Sequence, residues 1–416
     1  MPDTWYKVDN VAKVFLATNT RRDPRVFRVS CTLTEPIQPA ALDLALRRTA
    51  RELPHFQVTL HRGLFWHYLE STDKLPVAQQ ENLPPCAEIY GPDVKNELLY
   101  RVSYYNDRIN VEMFHALTDG NGGMLFLKIL VHNYLQELYP DALADVPRSE
   151  GASASDMTQN SFEKFYTGTR SKAEKRQHTY RLHGTKLPYD QVQFFEAHLS
   201  AKQVLERARA VGVSLTSYLC AAQLFAIYRE MPSLERRRSI AISLPVNLRN
   251  YYPSATARNF FNSVRVAYTF DGQEDLATVA RAFDARLKFE LSDERVHARM
   301  DGYEKLEHIP GIKPIPLFVK NRTVSFFTWL ESRHVTATFS NMGRIPVHPA
   351  LRPYIRGFSA FCSCDGLFTT VCSYDDDLVL GTTSAFAGTN VLKNFYRSLA
   401  EDGLDITLYA TEVYDK

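Results

Sequence analysis

The chain carries almost no surplus of charge of either sign. Its 49 Lys and Arg stand against 47 Asp and Glu, a formal net charge of +2 over 416 residues. No long block of like charge occurs. A nucleic-acid binder needs a basic stripe or patch to neutralise phosphates, so that class of partner is not expected. Long apolar runs are missing too. A bilayer-spanning helix needs about 20 consecutive apolar residues, and no transmembrane segment is expected here. Six cysteines are too few for a disulfide framework at this length. Cys362 and Cys364 alternate in what reads as a strand, with no Cys or His pair at zinc spacing nearby, so buried free thiols are expected and no metal. No glycine-rich phosphate loop or dinucleotide fingerprint follows a strand, and no bound nucleotide cofactor is expected. The opening residues lack the basic and apolar regions of an export signal. Together with the free thiols, this gives the expectation of a soluble, cytoplasmic protein.

The length is too great for one small core, and two domains are the natural division. Small polar residues gather between 141 and 160, the clearest linker composition in the chain, and a charged stretch at 163–181 extends the crossover. Strands are expected at 26–33, 98–105 and 109–114 in the first half, with an amphipathic helix at 39–53 and a hairpin around His61-Arg-Gly63. His61 and His67 bracket that hairpin without other ligands around them, so no metal is expected there. In the second half strands are expected at 191–199, 239–246, 263–270, 334–339, 358–364, 367–374, 378–386 and 406–413. Helices alternate with them at 201–210, 214–229, 274–291 and 389–400. The mixture predicts an α+β protein with mixed sheets rather than a regular parallel barrel. Residues 317–329 are apolar with basic interruptions. They read as a buried helix or a channel lip meeting a hydrophobic acceptor, with weak contact to a membrane surface as the further reading.

The stretch that carries chemistry is 111–123, Val-Glu-Met-Phe-His-Ala-Leu-Thr-Asp-Gly-Asn-Gly-Gly. An apolar strand leads in and a helical pattern at 124–139 leads out. Between them stand His115, Asp119 four residues later, and Gly120, Gly122 and Gly123. Each glycine costs a helix about 1 kcal/mol relative to alanine, so a loop with sharp turns is expected, with Asn121 capping the helix after it. A strand-to-helix turn is fixed by rigid elements on both sides and can aim a side chain into a cleft. In such a loop a neutral histidine can take a proton from a hydroxyl or amine as that group attacks a carbonyl. Asp119 can orient the imidazole, or anchor the loop through a distant cation.

Phe-His115-Ala-Leu-Thr-Asp119-Gly120 resembles the His-x-x-x-Asp-Gly motif of the acyl-CoA-dependent acyltransferase superfamily, which includes chloramphenicol acetyltransferase, polyketide-associated acyltransferases, alcohol acetyltransferases and condensation domains. Three further stretches match in order. Residues 27–53 resemble the family's first strand and its Leu-x-x-Ala-Leu helix, here Leu42 to Leu46. Leu244-Pro-Val-Asn-Leu-Arg249, followed by Asn259-Phe-Phe-Asn262, resembles the segment with the structural arginine and the aromatic-Asn element. Ser340-Asn341-Met-Gly343 resembles the Ser-Asn-x-Gly that ends a late strand in the bacterial alcohol-acetyltransferase-like branch. Condensation domains usually place a second histidine before the first; here that position is Phe114. The plant family's Asp-Phe-Gly-Trp-Gly element has no counterpart.

The resemblance implies two chloramphenicol-acetyltransferase-like subdomains side by side around a channel. The division expected is 1–160, a crossover at 161–185, and 186–416, with part of 358–388 crossing back to the first subdomain. It implies His115 as the base, Asp119 turned away and paired with Arg249, Gly120 and Gly122 shaping the loop, and Asn262, Ser340 or Asn341 as oxyanion or substrate contacts. The co-substrate it implies is acyl-CoA or another acyl-pantetheine, with a small alcohol or amine as acceptor and an acyl carrier protein as the alternative donor. A non-catalytic binding protein of the same fold is the remaining reading.

Overall fold

The computed structural model describes residues 5–91, 94, 96–147, 154–168, 179–305, 308, 311 and 314–411. Residues 148–153 of the expected linker and 169–178 of the expected crossover lie outside them. The first half runs β1 (Trp5–Lys7), α1 (Asn10–Thr18), β2 (Val26–Leu33), α2 (Pro39–Glu52), β3 (Val58–Arg62), β4 (His67–Ser71), β5 (Ala78–Gln80), β6 (Tyr100–Tyr105), β7 (Arg108–Phe114) and α3 (Gly120–Leu138). Two short helices follow, α4 (Ala154–Thr158) and α5 (Ser161–Phe165). The second half contains β8 (Gln193–Ser200), α6 (Ala201–Val211), α7 (Leu215–Glu230), β9 (Ile240–Asn247), β10 (Phe261–Tyr268), α8 (Leu276–Glu290), α9 (Asp293–Lys305), α10 (Leu317–Ser332), β11 (Ala337–Arg344), β12 (Ile355–Cys362), β13 (Leu367–Tyr374), β14 (Asp377–Ser384), α11 (Asn390–Glu401) and β15 (Thr407–Ala410).

Two large mixed sheets and a small one result, so the protein is α+β. The first large sheet has the order β12-β2-β7-β6-β5, the second β10-β9-β11-β13-β14-β8-β15, and β1-β4-β3 form the third. Within 358–388 the chain divides. Residues up to Cys362 lie antiparallel to β2, with Ala360 opposite Val29, whereas 367–384 stay in the second sheet. A strand from late in the sequence therefore completes the sheet of the first half.

Local sequence accounts for most of this. In α2 the residues Leu42, Ala45, Leu46 and Thr49 are buried at helical spacing, while Arg47 and Arg51 stay wet. Helix α7 is apolar on every side because every side is covered; ten of its residues, from Ser217 to Ile227, are buried. Ser200 and Ser214 cap α6 and α7 through their side chains, each satisfying an amide left open at the helix start. One core fills the first half and another the second. A smaller cluster of Val11, Phe162, Leu248, Tyr252, Phe260, Val296 and Met300 joins residues of both.

Three details differ from the expectation. The helix after the glycines begins at Gly120 rather than Met124. The strand expected at 334–339 lies at Ala337–Arg344. The stretch 317–329 is a helix, but of its residues only Leu317 is buried.

Candidate active site

Strand β7 delivers the chain to His115, and the turn is closed by Leu117 N–H donating to the Phe114 carbonyl at 2.9 Å. His115 is then held through its own backbone. Its N–H donates to the Arg25 carbonyl at 2.8 Å, and its carbonyl accepts from Asn259 Nδ2 at 2.9 Å. Three aromatic rings from three elements pack around the imidazole. Phe15 of α1 stacks on it with centroids 4.3 Å apart and 23° between planes, Phe27 of β2 lies at 4.8 Å, and Phe261 of β10 at 5.9 Å. The ring thus sits where the two halves meet, gripped from both.

This setting fixes its protonation. Burial lowers the His115 pKa to about 4, although the Asp119 charge acts in the opposite direction; an apolar surround disfavours the imidazolium. At neutral pH the ring is uncharged, the form that can accept a proton. Its Nδ1 is sealed from solvent and has no hydrogen-bond partner.

Asp119 is the N-cap of α3. Its Oδ1 accepts from the amides of Asn121 and Gly122, both at 3.1 Å. Its Oδ2 accepts from Arg249 Nη1 at 2.7 Å and from Phe260 N–H at 2.9 Å. Four donors occupy one buried carboxylate, and none of them is the His115 ring. Arg249 is equally committed. Beyond Asp119 it donates to Asn247 Oδ1 and to the carbonyls of Thr256 and Arg258. A buried ion pair is favourable only when such additional hydrogen bonds satisfy both partners, and here they do.

The cap explains why glycines can stand inside a helix. Asp119, not Asn121, satisfies the first amides, and the glycines serve close approach rather than a turn. A Cβ at Gly122 would come within 2.4 Å of the Ala257 carbonyl oxygen, and one at Gly123 within 2.4 Å of the Phe27 ring. The loop 256–260 of the second half lies directly on the start of α3, and Thr118 Oγ1 donates to that same Ala257 carbonyl at 2.5 Å.

A cavity of about 2190 Å³ opens in front of this arrangement, with walls from both halves. His115, Asp119, Gly120, Ser340 and Asn341 line it. Gly120 approaches β11 closely enough that a Cβ there would touch the Met342 methyl at 3.4 Å. Ser340–Gly343 forms an irregular end to β11, the register shifting between Asn341 and Arg344. Gly343 adopts φ +75° there, a conformation open to glycine at little cost. Asn341 Oδ1 accepts the Gly343 amide and its Nδ2 donates to Thr216 Oγ1.

Asn262 is placed differently from Ser340 and Asn341. It is buried and donates to the Val296 carbonyl of α9 at 3.2 Å, turned away from the cavity. The physical reason is the period of two along β10: Phe261, Ser263 and Arg265 line the cavity, whereas Asn262 shares the buried face with Val264 and Val266, of which Val264 alone reaches the cavity edge. Asn259, three residues earlier, is the side chain that reaches His115. The strand alternation in 261–266 was the available signal. Arg25 also escapes a motif reading. It lies on the cavity wall with φ 54°, strained for a bulky side chain, and its carbonyl holds the His115 amide. Among the described residues, no group of three or more His, Cys, Asp or Glu is arranged to hold a metal ion. All six cysteines are free.

Residues 187–352 match the family described as phthiocerol/phthiodiolone dimycocerosyl transferase C-terminus. No curated protein sequence matches. Among solved structures, polyketide synthase associated protein 5 from Mycobacterium tuberculosis is 16% identical with TM-score 0.59, over 95% of this chain and 96% of that one. The first condensation domain of the CDA synthetase is 14% identical with TM-score 0.61, over 96% of each chain. F. sporotrichioides TRI101, complexed with coenzyme A and T-2, is 10% identical with TM-score 0.65, over 97% of this chain and 99% of that one. At these identities the likeness is one of fold, and it extends over nearly the whole chain.

Proposed function

We propose that this member of the acyltransferase and condensation-domain superfamily moves an acyl group from acyl-CoA to the hydroxyl or amine of a small acceptor, with His115 as general base. The observation that carries the reading is an imidazole packed among three aromatic rings on the wall of a cavity shared by both halves, a setting that lowers its pKa. A site for two substrates needs room on both sides of the base, and a base working at neutral pH must not be protonated there.

With Nδ1 sealed, Nε2 is the working nitrogen. The acceptor gives its proton to Nε2 as its oxygen or nitrogen attacks the thioester carbon. A new C–O or C–N bond forms and the carbonyl oxygen takes up the negative charge. On collapse the C–S bond breaks, and the proton held by His115 passes to the departing thiolate. The products are an ester or amide and free thiol, with no acyl-enzyme. Oxyanion stabilisation falls to the Ser340 hydroxyl in preference to Asn341, whose amide is already engaged with Thr216. Preoriented donors at such a position are commonly worth about 3 kcal/mol of barrier. Asp119 anchors the loop; with four donors on it, it does not relay the proton.

Support for CoA as the donor comes from the fold likeness to a protein crystallised with coenzyme A. The test is a panel of acyl-CoAs of increasing length, with free thiol release followed in the presence and absence of alcohols and amines. Acceptor-dependent thiol release is the expected result. Turnover with acyl groups on a carrier protein alone would overturn the donor assignment. No turnover with any thioester, with or without a carrier, would leave a binding protein.

A further inference from the structure

The most unusual surface of the molecule is the outer face of α10. Its inner face is docked: Leu317 N–H donates to the Leu64 carbonyl at 2.9 Å and Lys320 Nζ to the Phe65 carbonyl at 3.1 Å; at the edge of the outer face Ser325 Oγ donates to the Ala17 carbonyl. The outer face presents Phe318, Arg322, Phe326, Trp329 and the C-cap Arg333. At 100° per residue these five fall within an arc of about 80°. Phe318 is 64% exposed, Phe326 55% and Trp329 50%. A soluble monomer rarely leaves a large apolar patch in water without a use for it.

The stripe is ordered as well as apolar. Phe326 and Trp329 stack with centroids 6.1 Å apart, and the Arg333 guanidinium lies 4.9 Å over the Trp329 ring. Helix and cap together carry Lys320, Arg322 and Arg333 against the single carboxylate Glu331. The hairpin turn that receives the start of the helix adds two more exposed apolar side chains, Leu64 at 70% and Trp66 at 56%. Trp66, Leu317 and Phe327 also line the cavity that contains His115. The patch therefore continues into a cavity mouth.

We propose that the outer face of α10 docks on an anionic lipid bilayer, so that the cavity mouth beside Trp66 and Phe327 opens at the membrane surface. Phenylalanine and tryptophan insert at the headgroup boundary while arginines set among them meet anionic headgroups. That pairing of aromatic rings with cations is what the stripe offers. It stands as a ridge on a helix already seated by its inner face, which suits lying in an interface plane. No single helix among the described residues is long and apolar enough to cross a membrane; the contact is peripheral.

Co-sedimentation of the full chain with vesicles of equal parts phosphatidylcholine and phosphatidylglycerol tests this. The wild type binds these vesicles and binds pure phosphatidylcholine more weakly. The double variant Phe326→Ser, Trp329→Ser loses binding by at least about tenfold, as expected when two interfacial aromatics are removed. Arg322→Gln weakens binding and flattens its dependence on salt. His115→Ala binds as the wild type does, so vesicle binding is read independently of acyl transfer. Because all three α10 positions are exposed, their variants keep the fold, which circular dichroism checks. Absent binding, or binding indifferent to the α10 substitutions, would overturn the proposal. So would a shift of the double variant from dimer to monomer without any vesicle contact, which would make the stripe a contact between copies of the chain.

Discussion

Four donors on one carboxylate separate the two polar residues of the 115–119 turn into different tasks. Asp119 accepts from Asn121, Gly122, Arg249 and Phe260, so its removal strands a buried guanidinium and uncaps a helix together. Asp119→Ala is expected to cost roughly 3–5 kcal/mol, the range for breaking a buried pair from one side, seen as a lower denaturant midpoint. An unchanged midpoint would show that the pair contributes nothing. His115 gives a prediction in pH. Its pKa is lowered to about 4 by burial, partly offset by Asp119, so the base form persists well below 6.5. With an alcohol acceptor, the acid limb of kcat/KM should therefore lie near 4, not near 6.5. The same shift implies that the unfolded chain binds the extra proton first, so stability falls as pH drops from 6.5 towards 4.

The elements show which parts of the chain were legible and which were not. Leu42, Ala45, Leu46 and Thr49 announce α2 by spacing alone, and the strands expected at 98–105 and 109–114 stand as the antiparallel pair β6 and β7. Gly120, Gly122 and Gly123 misled, because intrinsic propensity speaks against a helix that tertiary contact requires. The purpose of Gly122 and Gly123 lies in the Ala257 carbonyl and the Phe27 ring, which only the folded chain brings near. Gly122→Ala tests that reading. By helix propensity alone it would stabilise by about 1 kcal/mol; with the Ala257 oxygen 2.4 Å from the new carbon, overpacking should destabilise by about 1–3 kcal/mol instead. Thermal unfolding gives the sign. The apolar stretch 317–329 departs only from the buried-helix expectation: of its residues Leu317 alone is buried, while Leu317, Val319 and Phe327 line the cavity.

At the scale of the whole molecule, the two sheets are tied by contacts that no local pattern shows. Arg108 of β7 donates to both oxygens of Glu196 on β8, at 2.9 and 2.7 Å. His198 donates to Asp377 and Glu196 in turn. Burial works against the charge on His198, but hydrogen bonds to Asp377 and Glu196 raise its pKa to about 9. Its contribution is present in full below 6.5 and is lost as pH rises through 9. Stability should therefore decline by about 2 kcal/mol between those limits, and His198→Gln should flatten that decline in denaturant titrations. Sequence alone offered these residues as unremarkable members of strands. The pairing of β12 with β2 was likewise beyond reach of periodicity, because a strand's register says nothing of which sheet receives it. The candidate site was legible where a short motif marked it, at His115 and Asp119; the motif at 259–262 pointed to Asn262 where Asn259 makes the contact, and Arg25 matters only through distant neighbours.

The role of His115 as the base of a thioester acyl transfer is open to one decisive measurement. Wild type and His115→Ala are compared for acceptor-dependent thiol release from the best acyl-CoA of the panel, with circular dichroism and thioester binding as checks on the fold and the cavity. The predicted result is a loss of about 10²–10⁴-fold in turnover with fold and thioester binding retained. A variant that folds, binds the thioester and transfers the acyl group at close to the wild-type rate would contradict it.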